Sequence, residues 1–278
     1  MNFGKAIRIF LIDGNPNGRM TCELSNWTGK AYKIPRVEIK LCVDRPDLKN
    51  TGVYLLLGKN EEGKEIVYIG EAENVYTRLT QHLTQKDFWN EVIIFVSKDD
   101  NLNKAHIKYL EYRLYQNAKE AKRYSIENGN TPTLSSISEL DKAEMEEFIE
   151  NIKLLVNTLG HKVFENKREY SSIKKREQYY IDQGKDERFC RAIGELSSEG
   201  FLVLKGSRIS QEIVPSFPSS FCKLRESLIQ KGTIVNFEFQ EDYIFSSPST
   251  ASSVITGRSS NGLIEWKTKN GKILKEAN

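Results

Sequence analysis

Two tyrosines, an arginine, a histidine and a glutamate are the side chains of this sequence that could perform chemistry together. Tyr54 and Tyr68 each lie in a short apolar run. Segments with helical periodicity then supply Arg78, His82 and Glu111. A phenol can orient or deprotonate water, a guanidinium can offset charge that grows on an oxyanion, and a carboxylate can hold a divalent cation. This set is typical of a site that cuts a phosphodiester bond.

The two tyrosines lie on strands of a predicted β-hairpin. Residues 52–58 and 66–70 are apolar, and a polar loop joins them. Regular pairing about Glu62 makes the numbers of opposed residues sum to about 124, and side chains alternate between the two faces. We therefore expect Tyr54 and Tyr68 on the same face of the hairpin, where both phenols reach one cleft.

The segment after the hairpin is predicted to be a helix. Val75, Leu79 and Leu83 recur at four-residue steps and form one buried stripe. Arg78 and His82 are also four residues apart, so they are neighbours beside that stripe. Taken alone, Arg78 is more often a surface cation and His82 a solvated or hydrogen-bonded histidine. Only their combination with the tyrosines favours a functional role.

A central strand and a second helix complete the predicted core. Residues 92–96 are continuously apolar, as in a strand buried on both faces. The helix extends over about 102–124, with Asn101 or Asn103 as its cap. Glu111 lies one position off the apolar stripe of this helix. A carboxylate there is costly unless it is paired or binds a cation, although most helical glutamates are simply solvated.

Composition excludes several protein classes. The 278 residues exceed a typical single domain, which predicts two domains or one domain with large extensions, and the net charge is only +3. The N-terminal apolar run is short and contains Arg8, so it is neither a spanning helix nor a secretion signal. The cysteines lack the spacing of a zinc site or a disulfide framework: Cys22, Cys42, Cys190 and Cys222. We expect a cytoplasmic protein without membrane contact.

Cations and aromatic residues that could contact nucleic acid lie in three segments. Residues 25–36 interleave aromatic and basic side chains, although a surface turn with Trp27 packed inward is the more frequent outcome of such a pattern. The second helix concentrates positive charge. The candidates for nucleic-acid binding are Trp27, Lys30, Lys33, Lys104, Lys108, Arg113 and Arg258.

A small α+β domain is predicted over residues 186–278, after a basic linker at 166–185 that includes Lys167, Arg168, Lys174, Lys175 and Arg176. Its predicted strands are 200–204, 242–245 and 263–267, and its predicted helices are 218–231 and 247–256. The Ser247-Pro248-Ser249 helix start could hold a phosphate, but such sequences are usually only caps.

These residues together resemble the GIY-YIG nuclease superfamily. The resemblance covers about residues 48–135 and rests on Gly52-Val53-Tyr54, Tyr68-Ile69-Gly70, Arg78, His82 and Glu111 in strand, strand, helix, strand, helix order. It implies an α+β fold in which helices flank a small mixed or antiparallel sheet at 48–165, behind a β-rich extension at 1–47. The C-terminal segment looks like a domain of unknown function that often follows such nuclease domains.

The resemblance also implies an activity: metal-dependent endonucleolytic hydrolysis of DNA. RNA remains an alternative substrate. Glu111 would hold one Mg²⁺ or Mn²⁺, Arg78 would offset phosphoryl charge, and Tyr54 or Tyr68 would activate water. His82 joins this catalytic set, and the late asparagine of the family matches Asn128 or, preferably, Asn130.

One departure and two alternatives accompany this expectation. Several relatives carry a lysine where this chain has Glu71, so that cation is absent. A catalytically silent module with the same fold would still bind nucleic acid. Alternatively, the chain is an adaptor that recruits a protein partner through its C-terminal domain.

Overall fold

The computed structural model describes residues 4–165 and 177–277, with the backbone alone at 277. The chain divides into two compact units, Met1–Asn166 and Lys167–Asn278. Both combine β-sheet with helices, which confirms the predicted mixed α+β class. Across the described ranges, every helix is too short or too polar to cross a lipid bilayer.

The described part of the first unit is built on one seven-stranded sheet with strand order β1-β2-β3-β6-β4-β5-β7. The strands are β1 (Ile7–Leu11), β2 (Met20–Leu24), β3 (Gly29–Pro35), β4 (Gly52–Lys59), β5 (Glu65–Ala72), β6 (Trp89–Ser97) and β7 (Ser125–Ile126). The α-helices are α1 (Val75–Gln85), α2 (Lys104–Ala121) and α3 (Glu139–Thr158), with 3₁₀ helices at Arg36–Cys42 and Pro46–Lys49.

The β4–β5 hairpin has the predicted register. Tyr54 pairs with Gly70 and Leu56 pairs with Tyr68, so opposed numbers sum to 124 along both strands. The even-numbered side chains of β4 pack toward α1, whereas Val53 and Leu55 pack toward α2 and α3. The two tyrosines therefore lie on the α1 face of the sheet, as the alternation predicts.

The N-terminal strands are part of the same sheet and not an appended extension. All seven residues of β3, from Gly29 to Pro35, pair antiparallel with β6, which also pairs with β4. Because β6 is buried and apolar on both faces, its two edges both need a strand partner, and β3 supplies one of them. This corrects the predicted boundary at residue 47.

Helix starts in the first unit follow their cap residues. The Asn74 side chain accepts a hydrogen bond from Thr77 N at 2.9 Å and begins α1. Asn103, rather than Asn101, accepts from His106 N at 2.9 Å and begins α2. The Ser138 side chain accepts from Asp141 N at 3.1 Å and begins α3. These caps satisfy backbone donors that have no partner inside the helix.

The second unit holds a four-stranded sheet, order β13-β10-β9-β8, and a two-stranded sheet. Its strands are β8 (Gln178–Gln183), β9 (Cys190–Ser197), β10 (Gly200–Val203), β11 (Ile234–Val235), β12 (Glu238–Phe239) and β13 (Tyr243–Phe245). Its helices are α4 (Ser219–Gln230), α5 (Pro248–Thr256), α6 (Gly262–Glu265) and α7 (Leu274–Ala277), with a 3₁₀ helix at Asp186–Arg188.

Two predictions for the second unit were wrong. The linker predicted at 166–185 contains β8, which pairs along its whole length with β9, and the remaining linker residues 166–176 lie outside the described residues. The strand predicted at 263–267 is the short helix α6. A helix forms here instead of a strand because the Asn261 side chain accepts a hydrogen bond from Leu263 N at 3.1 Å and starts a helical turn.

Candidate active site

The two predicted tyrosines and the histidine form one aromatic cluster on the α1 face. Ring centroids are 6.3 Å apart for Tyr54 and Tyr68 and 5.4 Å apart for Tyr68 and His82. The Tyr54 hydroxyl lies 2.8 Å from His82 Nε2. Tyr54 and His82 are fully buried, whereas Tyr68 is partly exposed. Tyr68 is therefore the phenol that water and substrate can reach.

Gly70 makes room for this cluster. It lies opposite Tyr54 in the hairpin, and a Cβ atom at residue 70 would stand 2.5 Å from the Tyr54 hydroxyl oxygen. The phenol therefore lies directly across the glycine backbone. Any side chain at this position would push the Tyr54 hydroxyl away from His82.

His82 is a neutral histidine with one unused ring nitrogen. Burial, with help from Arg78 and Lys86, lowers the pKa of His82 to about 4. Its Nδ1 atom is buried and has no hydrogen-bond partner among the described residues. Because a buried donor without an acceptor is rarer than a buried acceptor without a donor, we assign the proton to Nε2, which donates to Tyr54.

The guanidinium of Arg78 lies close to both phenols. Arg78 projects from α1, is partly exposed, and its Nη1 donates to Gln81 Oε1 at 3.0 Å. Burial raises the pKa of Tyr54 and of Tyr68, and the Arg78 charge opposes the rise at both phenols. Arg78 is thus placed to stabilise negative charge that develops at the exposed side of the cluster.

Lys86 is a further cation of this cluster, which the motif residues do not include. Its Nζ atom lies 4.3 Å from the centroid of the Tyr68 ring. The available signal was its position four residues after His82 at the end of α1, where a side chain lies on the same helical face. A cation over the ring face also favours negative charge on this phenol.

Glu111 reaches the cluster from α2, on the other face of the sheet. Burial and the neighbouring Glu71 raise the pKa of Glu111 to about 7, against Lys104, Lys108 and Arg78. Within the described residues the carboxylate forms no hydrogen bond and no ion pair. The chain thus holds a partly buried carboxylate without a partner, which is the costly arrangement that a bound cation would relieve.

Glu71 forms an ion pair. Lys104 Nζ lies 3.1 Å from Glu71 Oε2 and 3.5 Å from Glu73 Oε2. A lysine from α2 therefore lies beside residue 71, where the family resemblance would place a cation from the hairpin itself. Lys104 therefore supplies a positive charge near residue 71, but this charge is paired with Glu71.

Asn128, and not Asn130, lies against the hairpin. Its side chain accepts from Ile69 N at 3.0 Å and donates to Ile69 O at 2.7 Å. It thereby pairs the edge of β5 just beyond the two residues that pair with β7. Asn130 is exposed, and its side chain forms no hydrogen bond with the described residues. The structure brings Asn128 next to Tyr68 and leaves Asn130 in solvent.

Most of the predicted nucleic-acid contacts are engaged in pairs within the protein. The Trp27 ring packs 4.8 Å from the Phe148 ring, centroid to centroid, which is the inward packing expected of a surface turn. The salt bridges are Lys30 to Asp47 at 2.8 Å, Lys33 to Glu91 at 3.1 Å, Arg113 to Glu146 at 2.7 Å and Arg258 to Glu265 at 2.6 Å. Of this set, Lys108 is exposed and forms no ion pair with the described residues.

The serine-rich segment of the second unit satisfies its own polar groups. Ser247 Oγ accepts from Thr250 N at 3.1 Å and caps α5. The indole nitrogen of Trp266 donates to Pro248 O at 3.0 Å, and Ser260 Oγ donates to Ser252 Oγ at 2.6 Å. These contacts agree with the cap interpretation and give no sign of a phosphate site.

Comparison with protein families identifies a relationship for the second unit. The domain of unknown function DUF4357 matches residues 184–278. The match begins near the start of the small α+β domain predicted from residue 186. Comparison with curated proteins and with solved structures found no match.

Proposed function

We propose that the first unit is a metal-dependent endonuclease of the GIY-YIG type that hydrolyses DNA phosphodiester bonds. The observation that carries the proposal is the convergence of Tyr68, Arg78 and Glu111 on the buried Tyr54–His82 pair. These groups come from both strands of one hairpin and from helices on opposite faces of the sheet. The rings of Tyr54, Tyr68 and His82 are in contact, and the charges of Arg78 and Glu111 act on both phenols.

A single Mg²⁺ or Mn²⁺ fits the donor set. Glu111 supplies a hard oxygen ligand without a protein partner, and Mg²⁺ is commonly held by one or two carboxylates together with waters and substrate phosphates. The described residues contain no group of three or more His, Cys, Asp or Glu side chains that could hold a metal ion. When bound, the cation would act as a Lewis acid on the scissile phosphate and its leaving oxygen.

The side chains of this chain would then divide the remaining tasks. Arg78 stabilises negative charge on the phosphoryl oxygens, because its guanidinium is fixed on α1 and faces the open side of the cluster. Tyr68 hydrogen-bonds the attacking water and, once deprotonated, takes its proton. Arg78 and Lys86 are the groups that favour its phenolate. Tyr54 and His82, fully buried, hold α1 on the hairpin and so position Arg78.

A plasmid-cleavage assay tests this proposal. Purified protein should nick or linearise supercoiled DNA with Mg²⁺ or Mn²⁺ and not with EDTA. Glu111→Gln should abolish cleavage while keeping DNA affinity, because phosphate contacts come mostly from Lys and Arg. Glu120→Gln, an exposed change on the same helix, is the matched control and should cleave normally. Retained gel-shift binding without any cleavage would instead indicate a silent binding module, and no binding would indicate an adaptor.

A further inference from the structure

A basic cleft lies at the C-terminal end of α2, outside the Tyr68 and Glu111 cluster. It encloses about 680 Å³. The side chains that bear on its chemistry are Lys64, Tyr115, Lys119, Lys122, Arg123 and Tyr124. Lys122 ends the helix with φ of 51°, in the left-handed region where helices usually carry glycine. A lysine is held there at a conformational cost.

The charge in this cleft is strongly positive. Its lining acid, Glu65, pairs with Lys59 at 2.9 Å, and Lys64 forms an exposed pair with Glu62 at 2.6 Å. Lys119 and Lys122 are exposed and form no ion pair within the described residues. Unlike most of the cations predicted from sequence, these two are not neutralised by ion pairs within the described residues. They leave charge available for a polyanion.

The cleft also presents ordered groups besides its lysines. Tyr115 packs against the core of the first unit, and the Tyr124 hydroxyl lies 3.4 Å from His161 Nδ1. The Nε of Arg123 donates to Glu165 O at 2.9 Å, which fixes its guanidinium at the rim. Fixed aromatic rings beside cations are typical of sites for single-stranded nucleic acid, where bases stack and phosphates meet Lys or Arg.

The size and place of the cleft connect it to the proposed active site. Its volume is in the range of about 300–1,000 Å³ found for small-molecule sites, which suits one or two nucleotides and not a duplex. Tyr115 lies one helical turn after Glu111, and Lys119 lies about 12 Å further along the helix axis than Glu111. That distance corresponds to about three or four nucleotides of a stacked strand.

We propose that this cleft binds an unpaired nucleic-acid strand beside the scissile phosphate, with phosphates on Lys119 and Lys122 and a base against Tyr124. The inference rests on the proposed nuclease function, because a phosphate is scissile only if the chain cleaves nucleic acid. It specifies the substrate as nucleic acid with a single-stranded segment, such as a branch, flap or overhang. A fully paired duplex would reach the catalytic cluster without filling the cleft.

The test is fluorescence anisotropy of a labelled single strand and of its duplex, with the full chain in EDTA so that cleavage plays no part. Lys119→Gln/Lys122→Gln should weaken single-strand binding about tenfold at low salt. Its salt slope should fall by about 1.4, because each phosphate contact on a single strand contributes about 0.7. Lys40→Gln/Lys142→Gln removes two exposed lysines outside the cleft and should change neither quantity.

A second pair of variants tests the base contact. Tyr124→Phe keeps the ring and should bind as the unmodified protein does, whereas Tyr124→Leu should weaken single-strand binding further. The cleft proposal is overturned if the unmodified protein does not bind single strands, if the lysine pair has no effect, or if both lysine pairs weaken binding equally. It is also overturned if Lys119→Gln/Lys122→Gln loses as much affinity for the duplex as for the single strand. A flap or overhang DNA that stays intact with Mg²⁺ and Mn²⁺ while these binding results hold rejects only the nuclease function.

Discussion

Removing the charge of Glu111 should stabilise the metal-free protein at alkaline pH. Glu111 is partly buried without a partner in the described residues, and its pKa rises from 4.5 to about 7 on folding. The folded state therefore holds this proton more tightly than the unfolded chain between these two values. Stability falls as the pH rises through this window and stays reduced above pH 7. The Glu111→Gln variant has no charge to bury and escapes this loss.

The magnitude follows from the pKa change. At about 1.4 kcal/mol per pKa unit, a rise from 4.5 to about 7 corresponds to about 3.5 kcal/mol above pH 7. Solvent at the open side of Glu111 screens part of its charge, so we expect a gain of about 1–2 kcal/mol for Glu111→Gln at pH 8. Below pH 4.5 the side chain is protonated in both states, and the gain should vanish.

Urea unfolding followed by far-ultraviolet circular dichroism, at pH 5 and pH 8 in EDTA, measures this gain. Glu120→Gln is the control, because Glu120 is exposed on the same helix. Saturating Mg²⁺ should then stabilise the unmodified protein and not Glu111→Gln, since a ligand stabilises only the state that binds it. A variant less stable than the unmodified protein at pH 8, or a gain independent of pH, would refute the view of Glu111 as an unpartnered carboxylate.

Three further changes probe the rest of the site. Arg78→Ala should lower the plasmid-nicking rate about a hundredfold, the scale for losing one preorganised donor, and a rate within a few-fold of normal would remove Arg78 from the site. Tyr54→Phe should lower the free energy of unfolding in urea by about 1–3 kcal/mol, because it leaves the buried His82 Nε2 without a partner. The double variant Tyr54→Phe/His82→Leu should recover part of this loss. No recovery would contradict the pairing of Tyr54 with His82. A chain ending at residue 165 should fold, as judged by circular dichroism, and keep metal-dependent nicking. The salt dependence of its DNA affinity should have a smaller slope. Insolubility or an unchanged slope would count against two independent units.

The sequence predicts the hairpin well because its signal is local. Period-two alternation around a polar loop sets the pairing in which opposed residue numbers sum to 124. This pairing places Tyr54 and Tyr68 on one face. The cap at Asn103 is local as well, since its side chain bonds a backbone N–H three residues later. Features of this kind need no knowledge of the rest of the fold.

The features that the sequence did not predict depend on distant residues. Arg113 pairs with Glu146 across α2 and α3, and Lys30 pairs with Asp47, so cations that suggested a nucleic-acid surface are committed inside the protein. Sequence spacing does not show such pairs. The strand β8 was missed because Tyr179 and Ile181 are its buried residues among polar ones, which gives a short and weak alternation.

The N-terminal boundary failed for a related reason. An isolated hairpin and a hairpin joined to a central strand have the same local pattern. The pairing of β3 with β6 joins residues far apart in the chain, such as Gly29 and Ser97. The unused Nδ1 of His82 likewise emerges only when α1 is packed on the sheet.

The most direct test of the nuclease account is the single-turnover cleavage rate of an end-labelled DNA as the Mg²⁺ concentration is varied. The unmodified protein should cleave with a rate that saturates hyperbolically, as expected for one ion held through Glu111 and the substrate. Glu120→Gln should follow the same curve, and Glu111→Gln should give no cleavage at any Mg²⁺ concentration. Intact DNA with the unmodified protein at every concentration of Mg²⁺ and Mn²⁺, or cleavage by Glu111→Gln at the unmodified rate, would contradict the account.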